Sequence, residues 1–273
     1  MTGIFDSGSG GLSVLREMLK VLPDEEYLYF ADNAHCPYGE KSTAYIRQRA
    51  SEITEMMLSK GCEVIVVACN TATAAAIRTL RTEFPEVPFI GMEPAVKPAA
   101  RLTRSGVVGV LATEGTLKAE KYHLTCDRYA DQVRVIGQVG RGFVELVETA
   151  CLEGPRAEAV VRESVRPLVE AGADTIVLGC THYPFLADTI AKVASELRPQ
   201  TRFHLLDPAP AVARRFLDIH RGLSAQNSLP AQRPAADGAS RPASVPHVTL
   251  LASGPDATLR QLYQRYIISS DLS

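Results

Sequence analysis

A chain of 273 residues with a formal net charge of −2 and an isoelectric point near 6.3 can bury a substantial core, as one large domain or two smaller ones. It has no basic block and no interleaving of aromatic and basic residues, which excludes the electrostatic footprint of a nucleic-acid binder. No apolar run has the length of a membrane span, and GIFDSGSGG follows the N-terminus without the charged and apolar regions of a secretion signal, so the expectation is a cytoplasmic protein with neither nucleic acid nor membrane as partner.

In chain order, the first predicted strand is TGIFD (2–6), followed by the glycine-rich SGSGG and an amphipathic helix over 12–20. YLYFA (27–31) is the second strand and leads into a polar loop carrying Pro37-Tyr38-Gly39, then a helix over 43–60. EVIVVAC (63–69) ends on Cys69 and precedes a helix over 71–84 and a strand at 87–92. Strands at 106–112 and 133–138, a helix over 158–171, the strand DTIVLGC (174–180) ending on Cys180, a helix over 184–197 and a strand at 202–207 follow. Residues 222–246, rich in Pro, Ser, Ala, Gly and Gln, have the composition of a loop. A strand at 247–253 and a helix over 257–267 resume after it.

Strands alternating with helices, several of them apolar throughout, predict an α/β fold whose mainly parallel sheets are covered on both faces. A weak repeat adds to this. A polar strand end at Asp6 precedes Cys69, and a second at Thr113 precedes Cys180 at a similar separation. The expectation is two similar α/β/α domains: residues 1–94 with 208–273, holding Asp6 and Cys69, and residues 95–207, holding Thr113 and Cys180. Parallel sheets bind ligands beyond the carboxyl ends of their strands, so all four ends are expected to face one shared cleft.

The six cysteines (36, 62, 69, 126, 151 and 180) include no CxxC pair, which fits neither a disulfide scaffold nor a structural zinc site. Cys69 and Cys180 stand apart because each joins a strand to a helix, where free N–H groups and the helix dipole favour a thiolate. Asn70 and Thr71 are expected to cap the helix after Cys69. Two thiols facing each other suit either a redox couple or proton transfer on opposite faces of one carbon, which inverts its configuration. A thiol with an ordinary pKa of about 8.5 is a workable base near neutrality, and Asp6 and His182 are the candidate proton partners. SGSGG meets neither the dinucleotide nor the Walker fingerprint, leaving a backbone nest at a helix start that suits a small anion such as a carboxylate. Thr113–Thr116 offers the same in the second half, with two hydroxyls added.

FDSGSGGLSVL, PYG, ACNTAT, VGVLATEGT and LGCTHYP, in this order, resemble the cofactor-independent two-cysteine aspartate/glutamate racemases, and the glutamate branch most closely. The resemblance implies two α/β domains closing over glutamate, with Cys69 acting on the D isomer and Cys180 on the L isomer. It further implies that Asp6 and His182 assist as acids and bases, that Glu148 is an additional acidic group, and that Asp6, Ser7, Pro37, Tyr38, Gly39, Asn70, Thr71, Thr113, Thr116, Thr181 and His182 contact the substrate. It implies no pyridoxal phosphate or other cofactor, no metal, a homodimer, and D-glutamate as a product for bacterial peptidoglycan. The chain departs from the family pattern at Gly140-Arg141-Gly142, where a small-Cys-Pro segment is common, and in the 222–246 segment. The alternatives are a racemase of aspartate or another amino acid, and a thiol redox or small-anion-binding protein.

Overall fold

The computed structural model describes residues 1–227 and 247–269. The first part of the chain forms β1 (Thr2–Asp6), α1 (Leu12–Val21), β2 (Tyr27–Ala31), α2 (Thr43–Ser59), β3 (Val64–Val67), α3 (Asn70–Glu83), β4 (Phe89–Gly91) and α4 (Val96–Leu102). Then come β5 (Val107–Ala112), α5 (Glu114–Leu117), α6 (Glu120–Asp127), β6 (Arg134–Val139), α7 (Phe143–Glu148), α8 (Pro155–Glu170), β7 (Thr175–Gly179), α9 (Ala187–Leu197) and β8 (His204–Leu206). α10 (Ala209–Asn227), β9 (Val248–Ala252) and α11 (Ala257–Tyr263) complete the order.

The strands form two sheets, ordered β4-β3-β1-β2-β9 and β6-β5-β7-β8, and every pairing in them is parallel. Taken from its other edge, the second sheet runs β8-β7-β5-β6, which matches β4-β3-β1-β2 strand for strand. The repeat is therefore one of topology, with β9 added at the edge of the first sheet beside β2. In each sheet the chain leaves the two central strands in opposite directions, from β1 to β2 and from β3 to β4, and likewise from β5 to β6 and from β7 to β8. No crossover covers the ground between such neighbours, and α/β sheets bind ligands at this switch point. Asp6 ends β1, Cys69 lies just past β3, Thr113 follows β5, and Cys180 follows β7. Both switch points thus carry the residues expected there.

Alternate residues of each strand enter different apolar clusters, as a two-residue period requires. Ile4, Val66, Leu111 and Leu178 face a core that is continuous between the two sheets and includes α1, α8, α9 and α10. Phe5, Val67, Ile65 and Leu28 turn to the outer helices of the first sheet, and Val108, Val110 and Val177 to those of the second. β1, β3 and β7 are buried at every position, in keeping with their unbroken apolar runs.

Two expectations need adjustment. The predicted helix over 184–197 begins as a 3-10 turn, Tyr183–Leu186, and becomes α-helical only at Ala187. α10 runs on to Asn227, into the segment read as a loop from 222, because Ile219 and Leu223, one turn apart, both pack on the shared core. Residues 228–246, the rest of that segment, lie outside the described residues.

Phe143 at the start of α7 is fully buried and meets Tyr183 edge-to-face, with ring centroids 4.9 Å apart. Phe143→Ala leaves a ring-sized void under both segments, and a loss of about 3–5 kcal/mol is expected in urea unfolding; a loss below ~1 kcal/mol would mean that this contact does not anchor α7.

Candidate active site

The first switch point is organised by Asp6. Its side chain is wholly buried, and Oδ2 accepts hydrogen bonds from the backbone N–H of Gly8 at 3.2 Å and of Gly11 at 3.1 Å. Oδ1 accepts from the Thr181 hydroxyl at 3.3 Å, so residues next to β1 and β7 are joined directly. Burial pushes the Asp6 carboxyl up, the charge of His182 draws it down, and the nearby Glu148 charge pushes it up again. The net result is a carboxyl that holds its proton more firmly than usual.

The SGSGG loop does cradle anions, but they belong to the chain itself. Besides the two N–H groups bound to Asp6, Ser9 gives Glu148 its N–H at 2.6 Å and its hydroxyl at 3.1 Å. These donors are occupied, so a substrate carboxylate would need others. The glycines have a second use. A Cβ on Gly8 would sit 2.2 Å from Glu148 Oε1, and one on Gly10 would sit 2.3 Å from His182 Nδ1. The loop is bare so that side chains carried beyond the second sheet can lie against it.

Cys69 caps α3 itself. Its sulfur accepts the Ala72 N–H at 3.4 Å, while Asn70 and Thr71, expected as caps, are the first residues of the helix. The thiol lies 3.9 Å from the Ser7 hydroxyl. The helix start favours a thiolate, yet burial outweighs it, and with the Asp6 charge it holds the thiol well above its ordinary range. In the unliganded protein Cys69 is therefore a thiol.

At the second switch point, Cys180 Sγ lies 3.8 Å from His182 Nδ1, and His182 Nε2 lies 2.7 Å from Glu148 Oε1. The three groups form a continuous chain from sulfur to carboxylate. Burial alone would lower the His182 pKa, but hydrogen bonds with Cys180, Cys36 and Glu148 overcome it and raise it well above the ordinary value. Burial would raise Glu148, and the bonds from His182 and Ser9 hold it below the ordinary value instead. The pair is ionic near neutrality. Gly140-Arg141-Gly142 has a structural role here: a Cβ on Gly140 would lie 2.5 Å from the Tyr183 hydroxyl, and Gly142 precedes α7 at a φ of +76°. Tyr183 donates to the Gly140 carbonyl at 3.2 Å. These contacts set α7 so that Glu148, its last residue, reaches His182.

Hydroxyls close the space between the sheets on another side. Thr71 lies 2.8 Å from Thr113 and 3.5 Å from Thr116, and Thr113 donates to Thr116 at 3.0 Å. Gly39 packs on Thr113. Tyr38, expected to contact the substrate, is buried and donates its hydroxyl to Asp32 at 2.5 Å. Arg49 clamps the same carboxylate from 3.1 and 2.7 Å, which fixes the Pro37-Tyr38-Gly39 turn. Asp32, Arg49, Ser9 and Ser13, whose hydroxyl donates to the Thr181 carbonyl at 3.0 Å, were not singled out by the sequence. Asn70 is the exceptional residue. Both polar atoms of its buried side-chain amide lack a partner, and among the described residues only the Thr54 hydroxyl shares that condition. Such a group costs about 1–3 kcal/mol when left unpaired, so it is a ready receptor for a polar ligand.

Comparison with known proteins agrees with this geometry. Residues 7–216 match the Asp/Glu/Hydantoin racemase family. The chain belongs to that family. A glutamate racemase of Ectopseudomonas mendocina is 51% identical over 227 residues, covering 82% of this chain and 84% of the relative. The Escherichia coli glutamate racemase, solved with L-glutamate and the activator UDP-MurNAc-Ala, is 34% identical with a TM-score of 0.78, covering 97% of this chain and 95% of its own. The enzyme of Francisella tularensis, solved with D-glutamate, is 25% identical with a TM-score of 0.77 and coverages of 98% and 93%. Family membership makes the protein a racemase, an isomerase. No helix among the described residues is long and apolar enough to cross a membrane.

Two outcomes are expected. Gly10→Ala forces His182 from its place, so racemisation falls by at least about 10²-fold, the scale of a misplaced acid–base group, while the circular dichroism spectrum stays native; unchanged turnover would show that His182 has room to spare. Glu148→Gln uncouples the ionic pair, whose linkage has a defined window. The raised His182 stabilises fully below its ordinary value of 6.5, and this is lost as pH rises through the higher folded value. The lowered Glu148 stabilises fully above its ordinary 4.5, and this is lost as pH falls through the lower folded value. The gap in urea midpoint between wild type and variant is therefore largest from pH 4.5 to 6.5.

Proposed function

We propose that the protein is a glutamate racemase that interconverts L- and D-glutamate through two thiols, without pyridoxal phosphate or metal. The observation that carries this reading is the doubled switch point: Cys69 beside Asp6 in one sheet, and Cys180 beside His182 in the other, joined by the Thr181–Asp6 hydrogen bond. Cys180 as thiolate removes the proton from Cα of the L isomer, and the Cys69 thiol delivers one to the opposite face, giving the D isomer. The reverse reaction exchanges the two roles. Asp6 stands by Cys69 and the Glu148–His182 pair by Cys180, so each sulfur has its own proton store.

The resemblance assigns substrate contacts to Asp6, Ser7, Pro37, Tyr38, Gly39, Asn70, Thr71, Thr113, Thr116, Thr181 and His182. The unpaired Asn70 amide and the Thr71, Thr113 and Thr116 hydroxyls support a carboxylate there, since the Gly8, Ser9 and Gly11 amides already serve Asp6 and Glu148. The Tyr38 contribution is its ring or backbone, because the hydroxyl serves Asp32. The two sheets support a division into residues 1–94 with 208–273 and residues 95–207. A cytoplasmic location, a homodimer and the supply of D-glutamate to peptidoglycan belong to the same reading and rest on the resemblance.

In deuterated water, either isomer of glutamate is expected to gain deuterium at Cα as optical rotation decays. Cys69→Ala and Cys180→Ala are each expected to lower kcat/KM by about 10²–10⁴ or more, measured by circular dichroism from both isomers. Near-normal inversion in either variant removes the two-thiol mechanism. Faster racemisation of D-aspartate than of D-glutamate would move the substrate to the aspartate branch.

A further inference from the structure

Cys36 takes no proton from the substrate in the reaction just described, yet its half-buried thiol lies against His182 and Glu148. It follows the short turn Asn33–His35 after β2, and its thiol faces the pair carried by the other sheet. One ligand atom each from Cys36, Glu148 and His182 lie within 4.8 Å of one another. We propose that Cys36, Glu148 and His182 form a binding site for a zinc-class divalent cation, and that an ion bound there switches the racemase off.

The donor set selects the metal. A thiolate, an imidazole and a carboxylate suit zinc and its borderline neighbours, whereas magnesium and calcium favour oxygen alone. Three protein ligands leave one tetrahedral position open. The outer shell is in place as well. Ser9 fixes both oxygens of Glu148, from 2.6 and 3.1 Å, the kind of support that orients a metal-binding carboxylate. Gly8 makes the room: its missing Cβ would stand 2.2 Å from Glu148 Oε1 and 3.2 Å from Cys36 Sγ. Any side chain at that position would fill the space where two of the ligands converge.

Binding has a simple balance. The ion takes a thiolate, a neutral imidazole and a carboxylate, so the Cys36 proton and the proton shared by His182 and Glu148 leave to solvent. No bond to carbon changes, and nothing is oxidised. With Nε2 on the metal, His182 loses the proton it shares with Glu148, and the ionic pair that stands by Cys180 is gone. The ion also ties a first-sheet loop to two second-sheet residues across the cleft, and so blocks substrate entry. The inhibitory effect rests on the racemase reading, whereas the binding site does not.

The test is anaerobic titration of the full chain with Co²⁺ and with Zn²⁺ alone. Saturable binding of one ion per chain is expected, with a thiolate-to-cobalt charge-transfer band, and Zn²⁺ is expected to stop racemisation over the same concentration range. Cys36→Ser should lose the band and bind Zn²⁺ at least about 10-fold more weakly. Ser9→Ala, which loosens Glu148 without removing a ligand, should weaken Zn²⁺ binding about 10-fold and keeps the test open should Cys36→Ser not fold. A band that survives in Cys36→Ser, or a wild type that binds no ion, overturns the proposal. Metal binding by a wild type that never racemises glutamate would leave the site standing and overturn the function instead.

Discussion

Everything at this site depends on backbone that carries no side chains. Between β1 and α1 the chain must turn within contact of groups from the other sheet, and Gly8 and Gly10 provide the clearance. That clearance lets Ser9 hold Glu148, Glu148 hold His182, and His182 touch Cys180. The same loop folds back on Asp6 with two N–H groups. A motif that looks like a phosphate cradle is therefore a junction, and the negative charge it neutralises is built into the protein.

The duplicated topology explains why two thiols converge. One switch point in a parallel sheet provides one set of strand ends over which a ligand can sit. Two sheets with matching strand order provide two, and joining them mouth to mouth gives a site with chemically similar walls. The walls are nevertheless unequal. Cys69 is a helix cap with a buried carboxyl beside it, and Cys180 is next to an ionic pair. A reaction that runs both ways on mirror-image substrates needs paired groups, but it does not need identical ones.

The strands were legible because a strand covered on both faces leaves an unbroken apolar run, and β1, β3 and β7 are such runs. Asp6, Cys69, Thr113 and Cys180 could be read from their positions at strand ends. α7 was not predicted, since six residues span too little for periodicity to register, and Glu148 at its end came from resemblance alone. The Asp32–Arg49–Tyr38 cluster and the Ser9–Glu148 contact join residues that are distant in sequence or come from unrelated elements, so no local pattern announces them. The capping of α3 by a sulfur was missed because Asn and Thr are better caps in general, while here the chain reaches the helix one residue earlier.

The continuous core between the sheets has a consequence for how such a molecule can be taken apart. Leu12 and Met18 on one side and Val161 and Ile190 on the other share one dry interior. Cutting the gene into its two matching halves would leave each fragment with an oily wall in water. The halves keep the marks of a common plan, but they have become obligate companions, and neither is a portable module.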